Sequence, residues 1–222
     1  MNKLDLIKER HAVRQYVEEP LNEEVKKAIL KEVEICNKEG NLHIQLVSNE
    51  PKAFSGMMAH YGRFSGVTNY FAMIGKKEDG TDEKIGYYGE RLVLKCQELG
   101  LNSCWVALTY KKVKTAFTVD EGEKLYIVIA IGKGKTQGNP HKSKPIESLS
   151  NIDSKSPSWF IDGVNCALLA PTAMNEQKFY FELKDGKVIA TTKKAMYANM
   201  DLGIAKYHFE IGANKDSSIW VK

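Results

Sequence analysis

The sequence predicts a fold that mixes helices with strands in helix-loop-strand units, and three observations carry that prediction. The first is residues 159–183. Apolar residues at helical spacing over 159–169 give way, past Ala170-Pro171-Thr172-Ala173-Met174-Asn175-Glu176-Gln177, to the alternating strand Lys178-Phe179-Tyr180-Phe181-Glu182-Leu183. The second is the unbroken apolar run at 125–131, as expected of a strand buried on both faces. The third is that the chain rhymes with itself. Helix, loop, Asn41 and a strand carrying Gln45 are answered by helix, loop, Asn175 and Gln177. Lys84-Ile85-Gly86, a helix and Ser103-Cys104-Trp105-Val106 are answered by Asp201-Leu202-Gly203, a helix and Ser218-Ile219-Trp220-Val221. Two rhymes in one order predict a tandem repeat, roughly residues 1–135 and 145–222, within one domain spanning 1–222.

The elements follow in order. Residues 2–9 form a short helix that Asn2 can cap, with Asp5 in its first turn. It delivers Arg10-His11-Ala12-Val13-Arg14-Gln15-Tyr16, and Pro20 ends the loop. Asn22 starts a helix with an apolar face of Val25, Ala28, Ile29, Val33 and Cys36, followed by a strand at 42–48. Residues 51–61 read as helix and 68–74 as strand. Ile85, Tyr88, Leu92, Cys96 and Leu99 stand at helical spacing and are closed by Gly100, before a strand at 101–108. Ser156 as N-cap and Pro157 at the first helical position open the helix before Pro171. Asp185-Gly186 makes a two-residue hairpin turn, and residues 197–212 form the last helix.

Composition bounds the function. At 222 residues and 43% hydrophobic, the chain can bury a sizeable core. Its longest apolar run is far shorter than the roughly 20 residues that cross a bilayer, and its first residues lack the apolar core of a signal peptide, so a cytoplasmic protein is expected. A net charge of +4 with 28 acidic residues interleaved implies no nucleic-acid partner. The four cysteines lack a Cys-x-x-Cys pair and read as buried thiols. Gly132-Lys133-Gly134-Lys135-Thr136 fails as a phosphate loop, because Ile129 stands where a glycine is required and Pro140 where a helix should start. No metal site emerges: His208 has no second ligand at suitable spacing and reads as a hydrogen-bonded core histidine, and His43 and His60 offer less.

The candidate binding residues fall in separate stretches. Arg10 and Arg14 flanking His11 make a plausible phosphate cradle, since the planar guanidinium binds phosphate oxygens in pairs. In isolation the segment is also what a solvated turn looks like. Lys142 and Lys144 lie in a second basic stretch that equally suits a solvated linker. The small residues Pro171, Thr172 and Ala173 would let a flat ligand reach the backbone, while the Asn175 amide can donate and accept at once. That chemistry fits a flavin.

These stretches resemble the nitroreductase family, FMN-dependent NAD(P)H oxidoreductases of α+β sandwich fold. Residues 170–177 are similar to its Ala-Pro-Ser/Thr-x-x-Asn-x-Gln motif, residues 10–14 to its Arg-[Arg/His]-Ser-x-Arg/Lys motif, and residues 101–108 to its Gly-Leu-x-Ser/Thr-Cys-Trp-Ile strand. Residues 142–145 resemble its Lys/Arg-x-Lys/Arg-Pro stretch. The resemblance implies FMN held by Arg10, His11, Ala12, Arg14, Lys142 and Lys144 on one side and by Pro171, Thr172, Ala173, Asn175 and Gln177 on the other. Arg14 would meet the N1/O2 edge and act catalytically, and Ala107 and Leu108 would lie near N5. Ala12 replaces the family's serine, and no acid stands near N5. Ordinary members are intertwined homodimers, so this chain reads as two interlocked halves fused into a pseudo-dimer, a monomer or weak homodimer. The implied activity is ping-pong transfer of hydride from NADH or NADPH to small electron-poor acceptors such as nitroaromatics or quinones. The alternative is an FMN-binding sensor or carrier without turnover.

Overall fold

The computed structural model describes residues 2–221. In chain order its helices are α1 (Lys3–Glu9), α2 (Glu23–Gly40), α3 (Met57–Tyr61), α4 (Thr81–Glu98), α5 (Ser158–Ala167) and α6 (Ala198–Ala213). The strands are β1 (Gln45–Val47), β2 (Asn69–Lys76), β3 (Asn102–Val106), β4 (Glu123–Gly132), β5 (Phe179–Lys184) and β6 (Lys187–Thr192). Among the described residues no helix is long and apolar enough to cross a membrane. The chain divides into two compact units that do not follow chain order. One takes Arg10–Thr81 and Arg91–Pro140; the other takes the chain through Glu9, Asp82–Glu90 and the chain from His141 onward.

The first unit is built on a sheet of order β1-β2-β4-β3, antiparallel at every pairing. Alternation puts Tyr70, Ala72 and Ile74 of β2, Val128 and Ala130 of β4 and Cys104 and Val106 of β3 into one core with Val13, Tyr16, Phe54 and Phe64. The intervening Phe71, Met73, Ile127, Ile129 and Ile131 are buried too, as the unbroken apolar run requires. Local chemistry sets the helix ends: Asn22 accepts from the Glu24 N–H at 2.8 Å, and α2 closes on Asn41 in the left-handed region. Residues 51–61 do not form one helix. A single 3₁₀ turn at Lys52–Phe54 and α3 are separated at Ser55 and Gly56, where the glycine backbone turns extended.

The second unit packs α5 against α6 and carries the β5-β6 hairpin. The hairpin turn has Asp185 and Gly186 both at positive φ, the two-residue form that the Asp-Gly pair favours. Phe160, Phe181, Phe209 and Trp220 meet in an aromatic cluster with ring centroids 5.0–5.9 Å apart. The start of α5 differs from expectation. Pro157 is the cap residue rather than the first helical one, and the Ser156 hydroxyl bonds Asp153 instead of the helix.

One crossing in this unit is close and reciprocal. A Cβ on Gly86 of α4 would stand 1.9 Å from the Met200 carbonyl oxygen, and a Cβ on Gly203 of α6 would stand 2.0 Å from that of Glu83. Each glycine thus meets the carbonyl three residues before the other. The Lys206 ammonium closes the crossing on Glu83 at 2.7 Å. Gly86→Ala and Gly203→Ala are each expected to destabilise the protein by about 2 kcal/mol or more in denaturant titrations, the clash outweighing the helix propensity gained. Gly56→Ala, with open space around its Cβ, should change stability by less than about 0.5 kcal/mol.

Candidate functional site

The basic segment 10–17 is laid along the outer edge of β3. Ala12 bridges Ser103 in parallel, and the Val13 N–H donates to the Ser103 carbonyl at 3.0 Å. Further on, the Tyr16 N–H donates to Ser65, the Val17 N–H to Lys133, and the Lys135 N–H to Gln15. The loop after β4 therefore lies against the segment. Gly138, at φ 73°, completes this contact: a Cβ there would come within 2.8 Å of His11 Cβ and 2.9 Å of the Ala12 oxygen. With its backbone fixed, the segment buries Arg10, half-buries His11 and exposes Ala12 and Arg14. The Arg14 guanidinium lies 5.9 Å from the Phe64 ring centroid. Ala107 and Leu108 follow β3, Leu108 with its side chain largely exposed. Lys133 and Lys135, from the stretch that fails as a phosphate loop, are exposed on the loop stitched to the segment.

In the other unit, residues 142–144 and 171–177 form one hydrogen-bonded assembly. The Gln177 amide accepts from the Lys144 N–H at 2.9 Å and donates to the Lys142 carbonyl at 2.8 Å. Asn175 Nδ2 donates to the same carbonyl at 2.9 Å, and its Oδ1 accepts from Gln177 Nε2 at 2.9 Å. Thr172 Oγ1 accepts from the Gln177 N–H at 3.1 Å. The side chains of Gln177 and Lys144, both expected to touch a cofactor, are engaged within the loop itself: Gln177 is buried, and the Lys144 ammonium donates to the Glu176 and Gln177 carbonyls. Lys142 and Asn175 remain exposed. Met174, Asn175 and Gln177 all have positive φ, a conformation rare in non-glycine residues.

The sequence reading missed the residue that anchors this loop. Both carboxylate oxygens of Asp201, in the first turn of α6, accept from the Ala173 N–H, at 3.0 and 3.1 Å. Burial pushes the Asp201 carboxyl up to about 7 against the pull of that N–H, with the charge of Glu176 adding to the rise. An acid in a helical first turn reads from sequence as a complement to the helix dipole, so nothing in the chain marked it as a loop anchor.

Other clusters offer less chemistry. His43 Nδ1, Asp120 and Glu123 place ligand atoms within 4.8 Å of one another. Gln45, however, accepts from the Thr118 N–H and donates to its carbonyl, which fixes its amide so that Nε2 donates to His43 Nε2. The proton of a neutral His43 then sits on Nδ1, bonded to Glu123 at 2.7 Å, where a metal would need a lone pair. His208 is fully buried as expected, with Nδ1 3.3 Å from the Cys166 carbonyl and Nε2 3.0 Å from Glu90. All four cysteines are free and buried, and burial pushes Cys36 and Cys166 to about 12, away from thiolate chemistry.

The sheet, the helices and the two motif-bearing assemblies define a nitroreductase-like α+β fold. The family model described as "Putative TM nitroreductase" matches residues 2–213, and the chain belongs to that family. A "putative nitroreductase" structure from Thermotoga maritima is similar over 96% of this chain and 83% of its own, at 23% identity and a TM-score of 0.65. FMN-bound structures called "putative nitroreductase" come from Desulfovibrio desulfuricans and Exiguobacterium sibiricum. The first matches at 17% identity and TM-score 0.53, covering 70% of this chain and 98% of its own. The second matches at 14% and 0.54, with the same coverage of 70% and 98%. No curated protein matches the chain.

The Asp201 environment makes stability depend on pH in a stated direction. Its folded value of about 7 lies above that of an exposed aspartate, about 3.9, so between them the folded protein keeps a proton that the unfolded chain has lost. The contribution is full below about pH 4, falls as pH rises towards about 7, and is constant above. Asp201→Asn removes the slope. The Tm of the variant minus that of the wild type should rise between about pH 4 and 7 and then level; a difference independent of pH would refute the assignment.

Proposed function

We propose that this chain is an FMN-dependent NAD(P)H oxidoreductase that reduces small electron-poor acceptors such as nitroaromatics or quinones. The observation that carries the reading is the basic segment 10–17, whose backbone is fixed against β3 and the loop after β4. The donor set fits the cofactor. Arg10, His11 and Arg14 suit a phosphate monoester and the electron-rich edge of a flat heteroaromatic ring. Residues 171–175 offer small side chains and an exposed amide of the kind such a ring edge pairs with. Membership of the nitroreductase family and the FMN-bound relatives support the same cofactor.

When bound, FMN supplies the centre that takes and gives hydride. The chain supplies position and charge. Arg10 and His11 would hold the phosphate, with the exposed Lys142 as a further cation, while Lys144 and Gln177 hold the 171–177 loop in shape. Arg14 would stabilise negative charge at the electron-rich edge of the ring, and Ala107 and Leu108 would lie near its hydride-accepting side. Exposed Met57, Tyr61 and Leu108 give the first unit apolar surface suited to flat acceptors, and a Cβ on Gly62 would stand 2.6 Å from Thr109, so the end of α3 lies beside the turn after β3.

We further infer that the chain arose by tandem duplication. The reciprocal contacts of Gly86 and Gly203, each on the carbonyl three residues before the other, support this, because a two-fold interface between copies would produce that pairing. The Gln45 clamp on Thr118 and the Gln177 clamp on residues 142–144 support it as well. Such a chain would work as a monomer or weak homodimer.

Apo-protein titrated with FMN should bind one equivalent per chain and turn yellow. Under anaerobic conditions NADH or NADPH should bleach it, and a nitroaromatic or quinone should restore the colour. Arg14→Ala should retain FMN but reduce it about 100-fold more slowly. Persistent yellow colour with both nicotinamides would make the chain a flavin carrier, and failure to take up FMN would reject the cofactor.

A further inference from the structure

We propose that Asp201 is a positioning residue that holds the 171–177 loop in its flavin-binding conformation and makes that binding depend on pH. The inference rests on the FMN reading above. Its geometric basis is an anchorage at each end of the loop. Residues 172–177 are tied to residues 142–144 by polar side chains at their far end, through Asn175, Gln177 and Lys144. At the near end the tie from a side chain outside these stretches is the Asp201 carboxylate on the Ala173 N–H. Ala173 immediately precedes the left-handed pair Met174 and Asn175. Such backbone persists only where its surroundings over-determine it. Fixing Ala173 on one side and Gln177 on the other brackets the strained residues and sets the direction of the Asn175 amide.

Asp201 itself does not move freely. It lies two residues before Gly203, whose missing side chain lets α6 meet the Glu83 carbonyl. The helix start is thereby fixed, and the carboxylate is presented from a rigid element. On the elements packed against this turn, the charged groups are Glu176 and Lys144 around the loop, Lys178 at the head of β5, and Asp82 and Glu83 on α4. Glu176 pairs with Lys178 at 2.9 Å, Glu83 pairs with Lys206, and Asp82 accepts from Asn199. Among the described residues none of these cations pairs with Asp201, so its grip depends on its own ionisation. The ionised carboxylate is the stronger acceptor for the Ala173 N–H, and protonation weakens the bond without removing it.

The test separates this inference from the reading it rests on. Amide NMR of the apo wild type should show the Ala173 resonance moving with pH around neutrality. The same resonance should be flat in Asp201→Asn, which keeps an acceptor of the same shape but cannot ionise. In parallel, FMN affinity of the wild type should weaken about fivefold as pH is lowered through that midpoint, the ratio between a charged and a neutral hydrogen bond of ordinary strength. Asp201→Asn should show the weaker affinity at every pH. Effects of pH on the phosphate or on the basic segment are common to both proteins and cancel in the comparison. Asp201→Ala should bind more weakly still. Identical pH profiles for wild type and Asp201→Asn would overturn the proposal, as would an Ala173 resonance that ignores pH. A wild type that binds no FMN, while Ala173 titrates normally, would instead reject the cofactor and leave the anchorage standing.

Discussion

The crossing of α4 and α6 at Gly86 and Gly203 is the constraint on which the second unit depends. Two helix backbones meet there with no side chain between them, and any Cβ would lie far inside van der Waals contact with a carbonyl oxygen. What surrounds the crossing follows from that approach. Tyr87 can donate to Glu210, Lys206 can reach Glu83, and His208 can meet Glu90 in a site that excludes solvent from both. The His208 ring faces the Cys166 carbonyl through Nδ1 and the Glu90 carboxylate through Nε2. A buried pair of this kind contributes little net stability. Loss of one partner would leave the other uncompensated, and so the pair specifies the crossing rather than driving it.

The same logic of fixed backbone and free side chain shapes the basic segment in the first unit. Its main chain is consumed in bonds to Ser103, Ser65 and Lys133, and the edge of β3 is closed by it. A segment so tied cannot rotate its arginines out of register with the sheet. Arg14 is left exposed beside an aromatic face, a place where a guanidinium keeps its charge while its planar body is packed. Two glutamines act as main-chain clamps, Gln45 on Thr118 and Gln177 on Lys142 and Lys144. Each presents a donor and an acceptor on one rigid amide to a neighbouring stretch of main chain.

Much of this was legible in the sequence because local chemistry decided it. Asn2 and Asn22 cap as their positions suggest, Gly100 takes the left-handed region, and Asp185-Gly186 turns the hairpin. The motif residues of the nitroreductase family marked both assemblies. The differences arose partly from local alternatives and partly from tertiary contacts. Gly56 splits residues 51–61, and Pro157 became a cap because Ser156 found Asp153. Gln177 and Lys144 carry the right chemistry for a ligand, but in space each lies nearer to loop carbonyls and amides, and these engage them first. The rhyme between Lys84-Ile85-Gly86 and Asp201-Leu202-Gly203 was visible as repetition. That the two glycines face each other is a fact of packing, which no single strand of sequence expresses.

Asp201 shows why a fold keeps a residue that its own stability argues against. Burial raises its carboxyl to about 7, so above neutral pH an ionised group sits where an uncharged one would cost less. An asparagine of the same shape would avoid that cost but would present one acceptor and one donor to an N–H that needs an acceptor, leaving the amide hydrogens without a matching group. The carboxylate accepts from Ala173 with both oxygens, and the positive end of the α6 dipole favours its charge. Met174, Asn175 and Gln177 follow at positive φ, a conformation rare outside glycine and least unusual for the asparagine. The unfavourable ionisation of one side chain thus supports a stretch of uncommon backbone. Strain and buried charge, each destabilising alone, are coupled through a single N–H into a loop of defined shape.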